Sequence, residues 1–222
     1  RARGLRRPVA VVPTGLDLDR FRPVSPSMRV AARRGLGLPP DGPLLLYVGR
    51  LDREKNLPLL VEAFRCLADR QPEARLVLVG QGTEARALRM SVAHRGLTGR
   101  VHFPGGVAPP EVVRFYQAAD AFTFTSTTET QGLSVLEAMA CGLPVVAVRA
   151  SGVEEAILDG VSGLLVPEDP GVFAAALHEV LDDPHLATKL GVGARERVHA
   201  FAAPALIGQL VGHYRDLVAG AS

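Results

Sequence analysis

Short apolar runs rich in β-branched residues alternate along this chain with longer segments whose apolar residues recur at helical spacing. The runs are Val9–Val12, Leu44–Val48, Leu76–Val79, Val101–Phe103, Phe122–Thr125, Val145–Val148 and Leu164–Val166. Strands that are apolar on both faces need cover on both sides, and connecting helices provide it. The alternation therefore predicts an α/β fold, a doubly wound parallel sheet of about six strands with helices on both faces.

The segments between these runs predict helices. They are Met28–Gly35, Pro58–Arg70, Glu84–His94, Pro110–Ala118, Leu133–Ala140 and Val153–Leu158, followed after the last strand by Val172–Leu181, His185–Ala200 and Ala205–Val218. Asn56 stands where the N-cap of the second helix is expected. The last helix carries an apolar stripe from Leu206 to Leu217, which predicts that it covers another surface.

The composition is that of a globular domain and excludes several classes of protein. Of the 222 residues 47% are hydrophobic, and no apolar run reaches the roughly 20 residues of a membrane-spanning helix. The net charge of +2 does not indicate a nucleic-acid partner, although arginines crowd the first positions (Arg1, Arg3, Arg6 and Arg7). Cys66 and Cys141 lie in apolar helical patterns and are expected in the core. Because the chain starts with arginine and not Met, we expect it to be a fragment of a longer protein.

The loop after Leu44–Val48 combines a glycine with two well-spaced cations. It reads Gly49-Arg50-Leu51-Asp52-Arg53-Glu54-Lys55-Asn56. In open α/β sheets ligands bind outside the carboxyl ends of the strands, where this loop lies. Gly49 lets a ligand approach the backbone, and Arg50 and Lys55 can neutralise a diphosphate. Taken alone, the segment also fits a solvated charged loop.

The loop after the following strand fits a Gly-x-Gly-x-x-Ala dinucleotide fingerprint, since Gly80-Gln81-Gly82-Thr83-Glu84-Ala85 opens a helix. A nicotinamide-binding unit would carry an acidic residue about 20 positions later. That neighbourhood, residues 100–104, has no carboxylate. We therefore interpret Gly80 and Gly82 as a tight turn beside the ligand cleft, with a nicotinamide-dependent oxidoreductase as an alternative.

The most informative stretch runs from Glu129 to Glu137. Gly132 and the amides of Leu133 and Ser134 are expected at a helix N-terminus, where free N–H groups and the helix dipole favour a phosphate. Glu137 lies about five residues beyond this phosphate site, or roughly 7–8 Å along the helix axis. The two carboxylates therefore flank a phosphate and do not straddle one scissile bond, and each can accept hydrogen bonds from the hydroxyls of one sugar ring.

Together these motifs resemble the C-terminal, donor-binding domain of retaining GT-B glycosyltransferases of family 4, the glycosyl transferases group 1. The resemblance rests on Gly49-Arg50 with Lys55-Asn56, on Gly80-Gln81-Gly82, on Glu129-x7-Glu137 followed by residues 138–147, and on Val12-Pro13-Thr14-Gly15-Leu16-Asp17 with Phe21-Arg22-Pro23. It implies a Rossmann-like half of a GT-B fold. Residues 1–23 would form an initial strand and the interdomain linker, and residues 24–200 the nucleotide-sugar-binding domain. Residues 201–222 would form a helix that packs on an absent N-terminal Rossmann-like domain.

The resemblance also implies roles for individual residues. Arg50 and Lys55 would bind the donor diphosphate and stabilise the departing nucleoside diphosphate, and Glu129 would contact the transferred sugar, so these three are the candidate catalytic residues. Glu137 would hold the ribose. The other candidate donor-binding residues are Gly49, Gly80, Gly82, Gly105, Val107, Gln131, Gly132, Leu133 and Ser134, of which Gly105 and Val107 belong to a turn that would approach the base. Neither a metal nor a cofactor is implied.

The implied activity is transfer of a hexose from a nucleotide-diphosphate sugar, UDP-glucose by family frequency, with retention of configuration. The chain alone is expected to be inactive because the acceptor half is absent. Gln131 replaces the aromatic residue of many members, as in enzymes that act on diacylglycerol or related lipids, which favours a lipid acceptor and a cytoplasmic enzyme at the inner face of the membrane. A local packing role for Gln131, and a non-catalytic nucleotide-sugar-binding module, are the alternatives.

Overall fold

The computed structural model describes residues 9–219, which contain a six-stranded parallel sheet. Its strands are β1 (Leu44–Val48), β2 (Arg75–Val79), β3 (Val101–Gly105), β4 (Ala121–Phe124), β5 (Val145–Val148) and β6 (Leu164–Val166). The predicted doubly wound α/β fold is confirmed. Six of the predicted runs are strands, with ends that differ by at most two residues.

The strand order is β3-β2-β1-β4-β5-β6, so the direction in which the sheet grows reverses between β1 and β4. These two strands pair with Leu45 opposite Ala121 and Leu46 opposite Phe122. The loops that leave their carboxyl ends turn to opposite sides of the sheet. A crevice between these loops follows directly from the topology.

The helices are α1 (Pro26–Gly35), α2 (Leu57–Ala68), α3 (Ala85–His94), α4 (Pro109–Ala118), α5 (Leu133–Ala140), α6 (Pro170–Asp182), α7 (Pro184–Val198) and α8 (Ala203–Ala219). Short 3₁₀ turns lie at Arg53–Lys55 and His199–Phe201. Helix α2 packs against α3 and α6, α1 packs against α4, and α7 packs against both α5 and α6. Within residues 9–219, no helix combines the length and hydropathy that crossing a membrane requires.

The central strands form the middle of the core. Every residue of β4 and β5 is buried, as are Leu45, Leu46 and Tyr47 of β1. Full burial of one such aliphatic side chain contributes about 1.5–3 kcal/mol, so these strands are the main apolar stabilisation of the sheet. Cys141 is also buried, and burial raises the pKa of its thiol to about 12, whereas Cys66 is half-buried.

The predicted strand at Val9–Val12 is wrong, because these residues are irregular. Val9 and Val11 are 60% and 85% exposed, so they cover no sheet face. Pairing occurs instead at Leu16, whose N–H donates to the carbonyl of Phe201 and whose carbonyl accepts from the N–H of Ala203. This contact fixes the segment before α1 to the start of α8. The four arginines at the start of the chain lie outside the described residues.

The predicted helix at Val153–Leu158 is also wrong, because residues 151–156 form turns and no helix follows them. Val153, Ala156 and Ile157 are buried, and their spacing produced the helical pattern. Hydrogen bonds of helical type start from the carbonyls of Ala150, Val153 and Leu158, but they form separate turns and no continuous helix. The apolar side chains therefore cover the sheet from consecutive turns.

Asn56 precedes α2 as predicted but does not cap it. Its backbone is left-handed, with φ of 51°, and its side chain makes no capping hydrogen bond. The amide Nδ2 donates instead to Glu168 Oε1 at 2.7 Å. The residue thus turns the chain between the 3₁₀ turn and the helix, in a backbone region that asparagine tolerates.

Helix α8 carries an apolar side that the described residues leave largely uncovered. Leu206 is buried, whereas Ile207, Tyr214 and Leu217 are 60%, 63% and 70% exposed. The predicted helix is confirmed. Its packing on another domain, and the domain boundaries at residues 23 and 200, stay predictions.

A buried arginine joins α1 to the sheet. Arg33 is 4% exposed, and its Nη2 lies 2.5 Å from Asp120 Oδ2. Its guanidinium also donates to the carbonyls of Ala118 and Gly42, each at 2.8 Å. Asp120 in turn accepts from the N–H of Leu44 at 2.7 Å, where β1 starts. The buried charge is therefore compensated by a carboxylate and by backbone carbonyls.

Replacing Arg33 by Met is expected to lower the free energy of unfolding by about 3–5 kcal/mol, because the carbonyls of Ala118 and Gly42 lose the donor and Asp120 loses its buried cationic partner. Arg29 is the matched control, since it contacts Asp120 at 2.9 Å with a side chain that is 39% exposed. The loss for Arg29→Ala should stay below about 1 kcal/mol. Urea unfolding measures both, and equal losses would contradict the importance of burial.

Candidate functional site

A cavity of about 400 Å³ opens at the carboxyl ends of β1 and β4, where the strand order reverses. It is lined by Thr14, Tyr47, Val48, Gly49, Arg50, Lys55, Phe124, Glu129, Thr130, Gln131, Gly132, Leu133, Ser134 and Glu137. The structure thus brings together all the predicted site residues of the β1 and β4 loops. They form one continuous wall.

Lys55 and Glu129 contact each other across the crevice. Lys55 Nζ donates to Glu129 Oε1, and the two side chains are only 15% and 16% exposed. The hydroxyl of Thr125 donates to the carbonyl of Lys55 at 2.8 Å, and that of Ser126 to the carbonyl of Glu54 at 3.1 Å. Both hydroxyl residues are fully buried, so the end of β4 fixes the turn that carries Lys55.

Arg50 lies at the exposed rim of the cavity. Its side chain is 69% exposed and contacts Asp52 at 2.7 Å and Glu54 at 2.5 Å. Asp52 accepts hydrogen bonds from the N–H and the hydroxyl of Thr83, and these bonds hold the pKa of Asp52 below its ordinary range. Because exposed ion pairs contribute little, the guanidinium can exchange these carboxylates for an incoming anion.

The N-terminus of α5 faces the cavity. Gly132 precedes the helix with φ of 64°, in the left-handed region that favours glycine, and its carbonyl accepts from the N–H of Val135 at 2.8 Å. The N–H groups of Leu133 and Ser134 come before the first intrahelical donors, so they are directed out of the helix end. Both residues line the cavity, where a bound anion would meet these groups and the helix dipole.

Glu137 lies on the cavity wall in the second turn of α5 and is half-buried. Its Oε2 accepts a hydrogen bond from the hydroxyl of Tyr116 at 2.6 Å. Burial raises the pKa of Glu137, against the opposing effects of the Tyr116 hydrogen bond and the charge of Arg20. Glu129 and Glu137 therefore differ in environment, since a cation holds the first and a neutral donor holds the second.

Gln131 connects the cavity to the segment before α1. Its Oε1 accepts from the N–H of Thr14 at 2.9 Å, and its Nε2 donates to the carbonyl of Thr14 at 2.7 Å. Both ends of the amide are therefore occupied by the backbone of another segment. These contacts give Gln131 a local structural role, the alternative that the sequence left open.

Four predicted donor-binding residues lie outside the lining of this cavity: Gly80, Gly82, Gly105 and Val107. A Cβ at Gly80 would lie 1.8 Å from the carbonyl oxygen of Gly49, and a Cβ at Gly82 would lie 2.3 Å from that of Leu51. The β2 loop thus packs backbone to backbone against the β1 loop and holds it in place. The space that a dinucleotide fingerprint reserves for pyrophosphate at its second glycine is filled by the protein itself.

Two residues that support the loops of the site were missed from the sequence. The hydroxyl of Tyr47 donates to the carbonyl of Arg50 at 2.8 Å, which fixes the turn after β1. Gly152 has φ of 83°, and a Cβ there would lie 2.3 Å from the carbonyl oxygen of Glu129. A tyrosine near the end of an apolar strand is a usable signal, whereas Gly152 is distant in sequence from the loop that it supports.

The groups that can bind an anion here are the side chains of Arg50 and Lys55 and the N–H groups at the start of α5. Over residues 9–219, His, Cys, Asp and Glu side chains nowhere gather in the groups of three that a metal ion would need. The cavity therefore pairs anion-binding groups with two carboxylates, a combination suited to a ligand that carries both phosphate and hydroxyl groups.

Comparison with known proteins assigns the chain to a family. Residues 29–197 match the family model described as glycosyl transferases group 1. D-inositol 3-phosphate glycosyltransferase 2 of Catenulispora acidiphila is 39% identical over 203 residues, which cover 87% of this chain and 47% of that protein. The chain spans about half the length of the curated relatives that it matches.

Two solved structures share the fold closely. Sucrose-phosphate synthase from Thermosynechococcus elongatus is 37% identical with a TM-score of 0.84, over 94% of this chain and 52% of that one. HepE of Anabaena, solved with UDP and glucose, is 26% identical with a TM-score of 0.84, over 93% of this chain and 56% of that one. Since the family model matches most of the chain and the fold agrees, the chain belongs to the group 1 glycosyltransferases.

Proposed function

We propose that this chain is the donor-binding half of a family 4 GT-B enzyme that transfers a hexose from UDP-glucose to a hydroxyl acceptor with retention of configuration. The observation that carries the proposal is one cavity that combines two cations, a helix N-terminus and two carboxylates in different environments. HepE, solved with UDP, glucose and UDP-glucose, supports this choice of donor.

The chemistry follows from where charge develops. Cleavage of the bond between the anomeric carbon and the diphosphate oxygen leaves negative charge on the diphosphate, which Arg50, Lys55 and the N–H groups of Leu133 and Ser134 oppose. Glu129 binds hydroxyls of the sugar. Because these groups supply the compensating charge, we propose a metal-independent reaction in which the leaving phosphate accepts the acceptor's proton.

The acceptor half is proposed to be an N-terminal Rossmann-like domain, without which this chain is inactive. The greater length of the relatives and the exposed apolar side of α8 support this arrangement. Residues 1–23 then serve as the linker, residues 24–200 as the donor domain and residues 201–222 as the helix that spans to the other half.

For the acceptor we propose a small phosphorylated polyol in the cytoplasm. The relatives named as inositol 3-phosphate glycosyltransferases support it. A lipid acceptor at the inner membrane face is the second candidate. The argument for a lipid acceptor depends on Gln131, but both ends of its side-chain amide already bind the backbone of Thr14.

Lys55→Met is expected to weaken UDP binding about 10- to 100-fold, because the diphosphate loses one charge-assisted hydrogen bond. Arg53→Met removes an exposed cation from the same turn and is the matched control. Calorimetric titration of the chain with UDP, ADP and GDP measures both the effect and the base preference. Equal weakening by both variants would show that Lys55 contributes only nonspecific positive charge to UDP binding and no direct contact.

Glu129→Gln and Glu137→Gln are expected to change UDP affinity in opposite directions. Without its carboxylate partner, Lys55 is freed for the diphosphate, so Glu129→Gln should raise UDP affinity while abolishing most sugar transfer by the complete enzyme. Glu137→Gln should lower UDP affinity about tenfold, since a charged acceptor for the ribose is lost. Parallel effects on binding and transfer would contradict the two roles. A complete protein that binds UDP-glucose but transfers nothing would indicate the non-catalytic module.

Thermal unfolding against pH tests the burial of Glu137. Its pKa is raised above the ordinary 4.5, so its contribution to stability is complete below that value and is lost as pH rises through the folded-state pKa. The melting temperature of Glu137→Gln relative to wild type should therefore increase between about pH 4 and pH 8. Glu196→Gln, the same substitution at an exposed position of α7, is the matched control against which the change is measured. A pH dependence of Glu137→Gln no larger than that of the control would show that the Glu137 carboxylate is solvated.

A further inference from the structure

The two oxygens of the Glu137 carboxylate have different surroundings. Oε2 accepts the hydrogen bond from Tyr116, at 2.6 Å. Oε1 has no hydrogen-bond partner among the residues that the structure describes, and the side chain lines the cavity. A ligand that reaches Glu137 therefore meets one oxygen that is already engaged and one that is available.

The ring of Tyr116 is fixed by aromatic neighbours on two sides. Phe21 meets it edge to face, with centroids 5.8 Å apart, and Phe122 of β4 lies 5.7 Å away. Tyr116 has no exposed surface, and Phe21 is only 4% exposed. The core, not the cavity, therefore fixes the position of the hydroxyl oxygen that donates to Glu137.

We propose that Tyr116 is a positioning residue for the donor nucleotide: it binds Oε2 of Glu137 and thereby directs Oε1 toward the ribose hydroxyls. This inference rests on the proposed function, because it assigns a geometry to the ribose contact. Tyr116 does not line the cavity and touches no ligand. It restricts the rotation of the Glu137 side chain before the ligand binds, so that less conformational entropy is lost on binding.

The electrostatics support the same role. Burial works against the ionised form of Glu137, and the groups that face it are Tyr116 of α4, Arg20 of the segment before α1 and Cys141 after α5. Burial also raises the pKa of Tyr116 well above its ordinary value, so its hydroxyl remains a donor at neutral pH. Donation to the carboxylate favours the charged form that accepts hydroxyls best.

Calorimetric titration of the chain with UDP and with 2′,3′-dideoxyuridine diphosphate, which lacks both ribose hydroxyls, tests the proposal in wild type and Tyr116→Phe. Tyr116→Phe should weaken UDP binding about tenfold, because an undirected Glu137 loses its charged hydrogen bond to the ribose, and should leave the dideoxy ligand nearly unaffected. Thr123→Val is the control, because it removes another buried hydroxyl bond, to the carbonyl of Leu46, away from Glu137. It should weaken neither ligand.

Repeating the UDP titration across acid pH provides a readout that packing alone would not move. Without the donated hydrogen bond, the acid limit of UDP binding should shift to higher pH in Tyr116→Phe. Incorporation of 3-fluorotyrosine at position 116 keeps the ring and strengthens the donor, so it should shift the limit to lower pH. If Tyr116→Phe does not fold, the fluorotyrosine variant still tests the proposal, because it retains the hydroxyl.

The outcomes separate the two levels of inference. Failure of the wild-type chain to bind any nucleoside diphosphate would overturn the proposed function. Binding of UDP by wild type, with an unchanged ratio of UDP to dideoxy affinity and an unchanged pH limit in the Tyr116 variants, would overturn the positioning role alone. Equal weakening of both ligands by Tyr116→Phe would likewise reduce Tyr116 to a packing residue.

Discussion

The side-by-side pairing of β1 and β4 is the constraint on which the rest of the site depends. Because the sheet grows in one direction through β2 and β3 and in the other through β5 and β6, the two loops at the centre separate and leave a crevice. Lys55 comes from one of these loops and Glu129 from the other, yet they are in contact. The shielded pair of cation and carboxylate therefore depends on the two loops lying side by side.

The two glutamates of one short stretch illustrate how environment assigns chemistry. Glu129 is bound to an ammonium group, whereas Glu137 is half-buried against a phenol, whose hydrogen bond compensates only part of the cost of burial. Only Glu137 belongs to α5, and the partners of the two glutamates come from α4 and from the loop after β1. The difference between them is therefore a property of the fold and not of the motif.

The sequence was sufficient for the sheet, most helices and the two loops that line the cavity, because apolar periodicity and glycine before a helix have direct physical meaning. The prediction from sequence was wrong at Val9–Val12 and Val153–Leu158. Both segments have the apolar pattern of a regular element, but the first pairs with no strand and the second forms only turns. Tyr116 and Gly152 were beyond reach for another reason. Their importance comes from contacts with Glu137 and Glu129 that only the folded chain creates.

The double hydrogen bond between Gln131 and Thr14 has a mechanical consequence. One residue separates Gln131 from Glu129, and Gly132 follows it at the start of α5, so Thr14 is attached to the same short loop that lines the cavity. A displacement of that loop must either pull the segment before α1 along with it or break both hydrogen bonds. The position of the loop that lines the cavity and the course of the chain leading into the domain are thus linked through a single amide.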